Sequence, residues 1–201
     1  LILTSIEHKD LISRYPEALA IVKKYMGADD LINGNNRHCL WIRDNQIELA
    51  NNIPIISERI KKCAIFRSLS KKEATRKKSI FPYKFDEVKH QDAQAIIFPV
   101  ISSYRRKYIP VGFVTPDTVV SNKGQVIYNP EPFIFSILSS KMHMVWLATT
   151  SSRMRNDYQY SITLSYNTFP FPNISEEQKK LLEFHVFNVL DERERHSEKT
   201  L

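Results

Sequence analysis

Residues 95–128 read AIIFPVISSYRRKYIPVGFVTPDTVVSNKGQVIY. Three runs in this stretch, 95–100, 108–114 and 125–128, are short and rich in β-branched and aromatic residues, which predicts strands. Polar segments with turn-forming or charged residues separate them, namely SSYRRK, TPDT and SNKG. This alternation of short apolar runs and turns predicts a small, mostly antiparallel sheet.

Helical patterns lie on both sides of these strands. A capping box, Ser175-Glu176-Glu177-Gln178, opens a last helix over residues 175–195. Further patterns predict a helix over 15–26 that stops at Gly27, a strand over 37–42, a helix over 54–69 and a buried helix over 132–147. The predicted fold class is therefore α+β, a single mixed domain over residues 1–201 with a central sheet flanked by helices.

Composition excludes several classes of protein. The chain has 201 residues, 42% of them hydrophobic and 25% charged, which is enough to bury a core without staples. Cys39 and Cys63 lack the spacing of a zinc site or a disulfide framework, so a reduced, cytoplasmic location is expected. No run approaches the ~20 apolar residues of a membrane span, so no membrane partner is expected. The chain begins at Leu1, and we expect it to be a monomeric part of a longer polypeptide.

The positive charge is concentrated in one segment. The chain carries a net charge of +7, and residues 57–84 hold ten Lys/Arg against only Glu58 and Glu73. A local charge of this sign favours a polyanionic partner. We predict that Arg59, Lys62 and Lys77 contact DNA phosphates without sequence preference. A lysine-rich surface helix would explain the same pattern.

Motifs for catalysis are missing from the sequence. There is no GxGxxG and no GxxxxGK[ST] loop, and the six histidines form no HxH or HExxH pair. His143 lies within an apolar helical pattern, where a core histidine is more frequent than a catalytic base. We therefore predict no catalytic residue, no cofactor and no metal ligand in this chain.

Residues 153–167, RMRNDYQYSITLSYN, predict an extended segment of two different faces. The polar face carries Arg155, Asp157 and Gln159, whose groups match the edges of guanine, cytosine and adenine in the major groove. We predict these three residues, together with the adjacent Asn156, as base-reading contacts. The alternative is an ordinary surface strand in which Arg155 and Asp157 neutralise each other.

Two loops and one further arginine have groups suited to phosphate contact. The predicted phosphate contacts are Ser102, Ser103, Arg105, Arg106 and Lys107 in the first loop, Asn122 and Lys123 in the second, and Arg153. A solvated turn explains each loop about as well.

Five sequence blocks occur in a specific order. They are LINGNNRHCLW at 31–41, VISSYRRKYIPVGF at 100–113, LSSKMHMVW at 138–146, SRMRNDYQYS at 152–161 and YNTFPFP at 166–172. Together they resemble the target-recognition region of MmeI-like single-chain type II (type IIL) restriction–modification enzymes and related adenine-specific DNA methyltransferases. The family's pattern has glycine where this chain has Ser152.

The resemblance implies that the chain recognises sequence in double-stranded DNA. It also implies a neighbouring N6-adenine methyltransferase domain in the same polypeptide that uses S-adenosylmethionine, and an endonuclease that uses Mg²⁺ if the parent enzyme cleaves. The family's base-discriminating positions carry over to Arg155, Asp157 and Gln159. Three alternatives stay open: a direct part in methyl transfer, a protein-interaction domain, and RNA or single-strand binding through Tyr104, Tyr108, Tyr158 and Tyr160.

Overall fold

The computed structural model describes residues 1–201, which fold into two compact units. The first unit comprises Leu1–Tyr25, Asn36–His90 and Asp117–Val119. The second unit comprises Met26–Asn35, Gln91–Pro116 and Val120–Leu201. The candidate base-reading segment lies in the second unit, and the basic segment 57–84 lies in the first.

A four-stranded sheet organises the first unit. Its strands are β1 (Ile2–Leu3), β2 (Val22–Met26), β3 (Arg37–Leu40) and β7 (Thr118–Val120), in the order β1-β3-β2-β7. β3 pairs antiparallel with both β1 and β2. Helices α1 (Ser5–Arg14), α3 (Ile47–Asn52), α4 (Pro54–Ser68) and α5 (Glu73–Lys77) accompany this sheet.

Local sequence signals set the helix boundaries in the first unit. Thr4 and Glu7 form a capping box that begins α1, and Pro54 occupies the first turn of α4, where a missing N–H costs nothing. The helices are held by an apolar core that includes Leu11, Ile21, Leu40, Ile53 and Ile56.

Two three-stranded sheets form the second unit. One has the order β6-β4-β8 and contains β4 (Ala95–Pro99), β6 (Gly112–Val114) and β8 (Gly124–Tyr128). The other has the order β5-β10-β9 and contains β5 (Ile101–Ser102), β9 (Ser152–Met154) and β10 (Asp157–Gln159). The pairings of β4 and of β10 with their neighbours are all antiparallel.

Four helices belong to the second unit. They are α2 (Ala28–Asn33), α6 (Phe133–Leu138), α7 (Lys141–Thr150) and α8 (Glu176–Arg195). The largest core cluster of this unit includes Phe98, Phe135, Leu138, Leu147 and Tyr160. The fully buried β4 therefore supplies one wall of the core, and the helices α6 and α7 supply another.

The predicted α+β class with small antiparallel sheets is confirmed. Where we expected one central sheet, the strands divide among three. The last helix begins after Ser175, whose side chain caps it together with Gln178, as predicted. The helix predicted for 54–69 matches α4.

Two predicted helices differ from the structure. Residues 15–26 form a short 3₁₀ helix, Pro16–Ile21, followed by strand β2, because pairing with β3 overrides the helical pattern. Residues 132–147 form two helices instead of one. The break falls at Ser139 and Ser140, and the Ser140 side chain accepts a hydrogen bond from the His143 N–H and so caps α7.

None of the helices is both long enough and apolar enough to span a bilayer. Cys39 and Cys63 are both free thiols, and burial raises the pKa of Cys39 to about 12. A buried thiol with so high a pKa is unreactive.

Candidate nucleic-acid interface

The predicted extended segment is a β-hairpin. β9 and β10 pair in the register Met154 opposite Asp157 and Ser152 opposite Gln159, which leaves Arg155 and Asn156 as a two-residue loop. Arg155 has a φ of 57°, a left-handed conformation that two-residue hairpin loops require and that arginine seldom adopts. The hairpin therefore presents Arg155 at its tip, where the side chain is exposed and has no protein partner.

The hairpin distributes its side chains differently from our prediction. Directly opposed residues of an antiparallel pair point to the same face. One face therefore carries Met154 with Asp157, and Ser152 with Gln159, whose side chains are in hydrogen-bond contact at 3.3 Å. Simple alternation along 153–167 would place Met154 on the face opposite Asp157, but the hairpin puts both on one face, and the Met154 side chain is exposed.

Arg153 lies on the opposite face. Its guanidinium is 4.3 Å from the centre of the Tyr158 ring and donates a hydrogen bond of 2.9 Å to the Asn156 carbonyl. These contacts secure the strained loop from one side. The phosphate contact predicted for Arg153 stays a prediction, because its side chain is exposed although its guanidinium has these partners within the hairpin.

Asp157 connects the hairpin to the first basic loop. One of its carboxylate oxygens accepts a hydrogen bond from the Tyr104 backbone N–H at 3.3 Å. The Arg105 guanidinium in turn donates to the Tyr104 hydroxyl at 3.3 Å. The second carboxylate oxygen keeps its lone pairs for another donor. Asp157 of the hairpin is thus hydrogen-bonded to the loop 103–107.

The Val100 peptide group connects the hairpin to the second loop. Its N–H donates to the Lys123 carbonyl at 3.0 Å, and its carbonyl accepts from the Tyr160 N–H at 2.7 Å. The turn at 121–124 is closed by a 3.0 Å hydrogen bond from Gly124 N–H to the Ser121 carbonyl, and Asn122 and Lys123 are exposed. The structure therefore brings together the hairpin and both predicted phosphate loops.

Two predicted residues of the first loop have other roles. Ser102 is 2% exposed within β5, so the prediction that its hydroxyl contacts phosphate does not hold. Arg106 is half-buried and donates a hydrogen bond of 2.7 Å to the Leu201 carbonyl. Arg105 and Lys107 are exposed, and the Ser103 hydroxyl accepts from the Arg105 N–H.

A buried polar pair supports the base of the hairpin. The Tyr160 hydroxyl lies 2.8 Å from His143 Nε2, and both side chains are buried. Burial lowers the pKa of His143 to about 4 and raises the pKa of Tyr160 above its ordinary value, so both groups are neutral at pH 7. His143 is a core residue, as its position in the sequence predicts.

The extended pattern ends after Tyr160. Residues Ile162–Tyr166 form one π turn, with Ser165 buried and Leu164 55% exposed, which reverses the predicted alternation. Of the four tyrosines considered for base stacking, Tyr160 is buried and Tyr158 is covered by Arg153. Only Tyr104 and Tyr108 of these four remain exposed, so two of the four rings are available for stacking with bases.

Most cations of the basic segment 57–84 have local partners. Arg59, predicted to contact phosphate, pairs with Glu7 and donates to the Ile2 carbonyl, so its guanidinium already has partners within the protein. Lys62 and Lys77 are exposed on α4 and α5, and each pairs with a glutamate four residues earlier. Such exposed ion pairs are weak, so each lysine can leave its glutamate and pair with another anion.

The charge around the hairpin has one predominant sign. Residues 103–107, 121–124 and 152–159 contain six Lys/Arg and a single acid, Asp157. No group of three or more His, Cys, Asp or Glu side chains is arranged to hold a metal ion. The hairpin and the two loops thus form a polar, positively charged surface. Met154 also belongs to this surface and was not predicted, and Tyr104 was considered only for base stacking, because their positions depend on the hairpin register.

Comparisons with known proteins agree with this geometry. Residues 1–173 match the family model "MmeI, target recognition domain". DNA methyltransferase A of Bacillus subtilis (strain 168) is 38% identical over 194 residues, which are 96% of this chain and 22% of that protein. The solved structure of the type IIL restriction–modification enzyme MmeI in complex with DNA superimposes with a TM-score of 0.89 at 34% identity, over 96% of this chain and 26% of that one. The chain therefore spans about a quarter of the length of these relatives, and it belongs to the MmeI target recognition domain family.

Proposed function

We propose that this chain recognises a specific sequence in double-stranded DNA and holds the duplex for a methyltransferase domain of the same polypeptide. Arg155, Asp157 and Gln159, with Asn156 beside them, read base edges in the major groove. Arg105, Lys107 and Lys123 fix the register of the protein on the phosphates. Lys62 and Lys77 in the first unit add affinity that does not depend on sequence.

One observation carries this proposal. The hairpin tip and both polar loops are hydrogen-bonded to one another through Asp157 and the Val100 peptide group. Arg155 projects from this assembly with no protein partner and is held in a left-handed conformation. An arginine that is fixed at its backbone and free at its guanidinium suits bidentate contact with guanine.

The chemistry of the parent enzyme is assigned to the rest of the polypeptide. The DNA methyltransferase relative supports S-adenosylmethionine as the methyl donor. The four glycines of this chain are isolated from each other and form no nucleotide-binding loop. We infer that the cofactor, and Mg²⁺ if the enzyme cleaves, bind outside this chain, which itself performs no reaction. Because its proposed substrate is DNA, we place the protein in the cytoplasm.

The test is a selection from a randomised duplex library with the purified chain, followed by binding to the enriched duplex over a salt series. We expect an enriched site of several base pairs. Arg155→Ala and Asp157→Ala should each relax or change the preference at one base position, at a cost on the order of 1–3 kcal/mol. Arg195→Ala is the matched control, because Arg195 is an exposed arginine at the end of α8, paired with Glu192.

Three results would contradict the proposal. If the wild-type chain enriches no site and loses all binding when salt is raised, it contacts only phosphates and does not recognise a sequence. Unchanged base preference in both hairpin variants would show that another surface reads the sequence. Stronger binding to single strands than to the duplex would favour the stacking alternative.

A further inference from the structure

Met154 is an apolar residue in the middle of the polar recognition hairpin. Its side chain is 50% exposed, and it is the last residue of β9 before the loop. The register places it directly opposite Asp157, so both side chains point to the same face. Half of this large apolar side chain is therefore left in water, on the same face as a polar candidate base reader.

Chemistry limits what such a side chain can contact in the major groove. The base edges there present hydrogen-bond donors and acceptors, and their apolar feature is the C5-methyl group of thymine. A methionine side chain is flexible and polarisable and adapts to a contact of this size. An apolar residue on a base-reading face therefore selects thymine.

We propose that Met154 is a specificity-determining residue that packs against the methyl group of a thymine. This inference rests on the proposed function. The Cβ atoms of opposed residues are about 5 Å apart, and successive base pairs are about 3.4 Å apart along the duplex. Met154 therefore contacts the base pair that Asp157 reads or the one next to it, with the thymine on either strand.

The experiment replaces each thymine of the enriched duplex, one at a time, by uracil, which lacks only the methyl group. For the wild-type chain, one replacement should lower affinity about fourfold, the value for one buried methyl. Met154→Ala should bind the thymine and uracil forms of that duplex equally. Met142→Ala is the matched control, because Met142 is 64% exposed on α7 and should retain the fourfold difference.

The position of the sensitive thymine is a second readout. It should lie within one base pair of the position whose preference changes in Asp157→Ala. The inference is overturned if Met154→Ala keeps the same sensitivity to uracil as the wild type, or if no thymine at that place is sensitive. Either result leaves the proposed function intact, provided that the wild-type chain selects a site. A wild-type chain that selects no site overturns both.

Discussion

Removing one hydroxyl group beneath the β9–β10 hairpin should destabilise the chain measurably. Tyr160 directly follows β10, is 2% exposed and packs with its ring centre 4.7 Å from that of Phe98. Its hydroxyl lies 2.8 Å from His143 Nε2. Tyr160→Phe keeps the ring and its packing and removes only this hydrogen bond, so the change isolates a single interaction.

The magnitude follows from the surroundings of His143. His143 Nδ1 is buried and already lacks a partner, so the variant leaves the whole imidazole without a hydrogen bond. The net value of a hydrogen bond is about 1 kcal/mol, and an unsatisfied buried group costs about 1–3 kcal/mol. We expect Tyr160→Phe to lower the free energy of unfolding by about 2 kcal/mol, which is a decrease in Tm of about 4–8 °C for a chain of this size.

Urea unfolding followed by tryptophan fluorescence measures this effect, because Trp146 lies in the same unit. A double-mutant cycle separates the hydrogen bond from packing. In a His143→Phe background, Tyr160→Phe should cost less than about 0.5 kcal/mol, since no imidazole remains to be orphaned. Equal costs in both backgrounds would refute the reasoning, as would a loss below about 0.5 kcal/mol in the wild-type background.

The remaining predictions concern pH and the basic segment. Burial lowers the pKa of folded His143 to about 4, and the unfolded chain has the ordinary value of about 6.5. Between those two pH values only the unfolded state binds a proton at His143. The contribution of His143 to stability is therefore complete above pH 6.5 and is lost as pH falls towards 4, by about 2 kcal/mol at pH 5. In urea titrations over this range, His143→Phe should lack this part of the dependence of the free energy of unfolding on pH. Arg59→Gln removes the ion pair with Glu7 and should lower the free energy of unfolding by about 1 kcal/mol, whereas Lys62→Gln should change it by less than about 0.5 kcal/mol. Equal effects of the two variants in chemical denaturation would contradict a stabilising role of Arg59. Lys77→Ala should weaken binding to all duplexes alike and reduce the salt slope by about one, and a loss confined to one sequence would contradict its contact with phosphate.

Local signals predicted those elements that are specified locally. The capping box at Ser175 predicted the start of α8, and the apolar run at 95–100 predicted the buried strand β4, Ala95–Pro99. The strand β2 was predicted as a helix, because its pairing with β3 is a tertiary contact that helical periodicity does not reveal.

The period-two reading of 153–167 was correct within β9 and β10, wrong across the loop between them, and wrong again after Tyr160, where Ile162–Tyr166 form a π turn. Met154 and Asp157 are three residues apart, so simple alternation assigns them to opposite faces. A two-residue loop reverses the chain and returns them to the same face. The sequence therefore predicted Arg155 and Asp157 as candidates but could not identify Met154. Simple alternation would also place Arg153 on the face of Asp157, from which the hairpin separates it.

The hydrogen bond between Asp157 and the Tyr104 backbone has a consequence for how this family member can diverge. Arg155 makes no hydrogen bond, ion pair or ring contact with the rest of the protein, so a replacement there should cost little folding stability. A replacement of Asp157 also releases the neighbouring loop, and the chain then needs a compensating change to hold that loop in place. Natural variation should therefore arise first and more freely at position 155, while changes at 157 should become established in company with others.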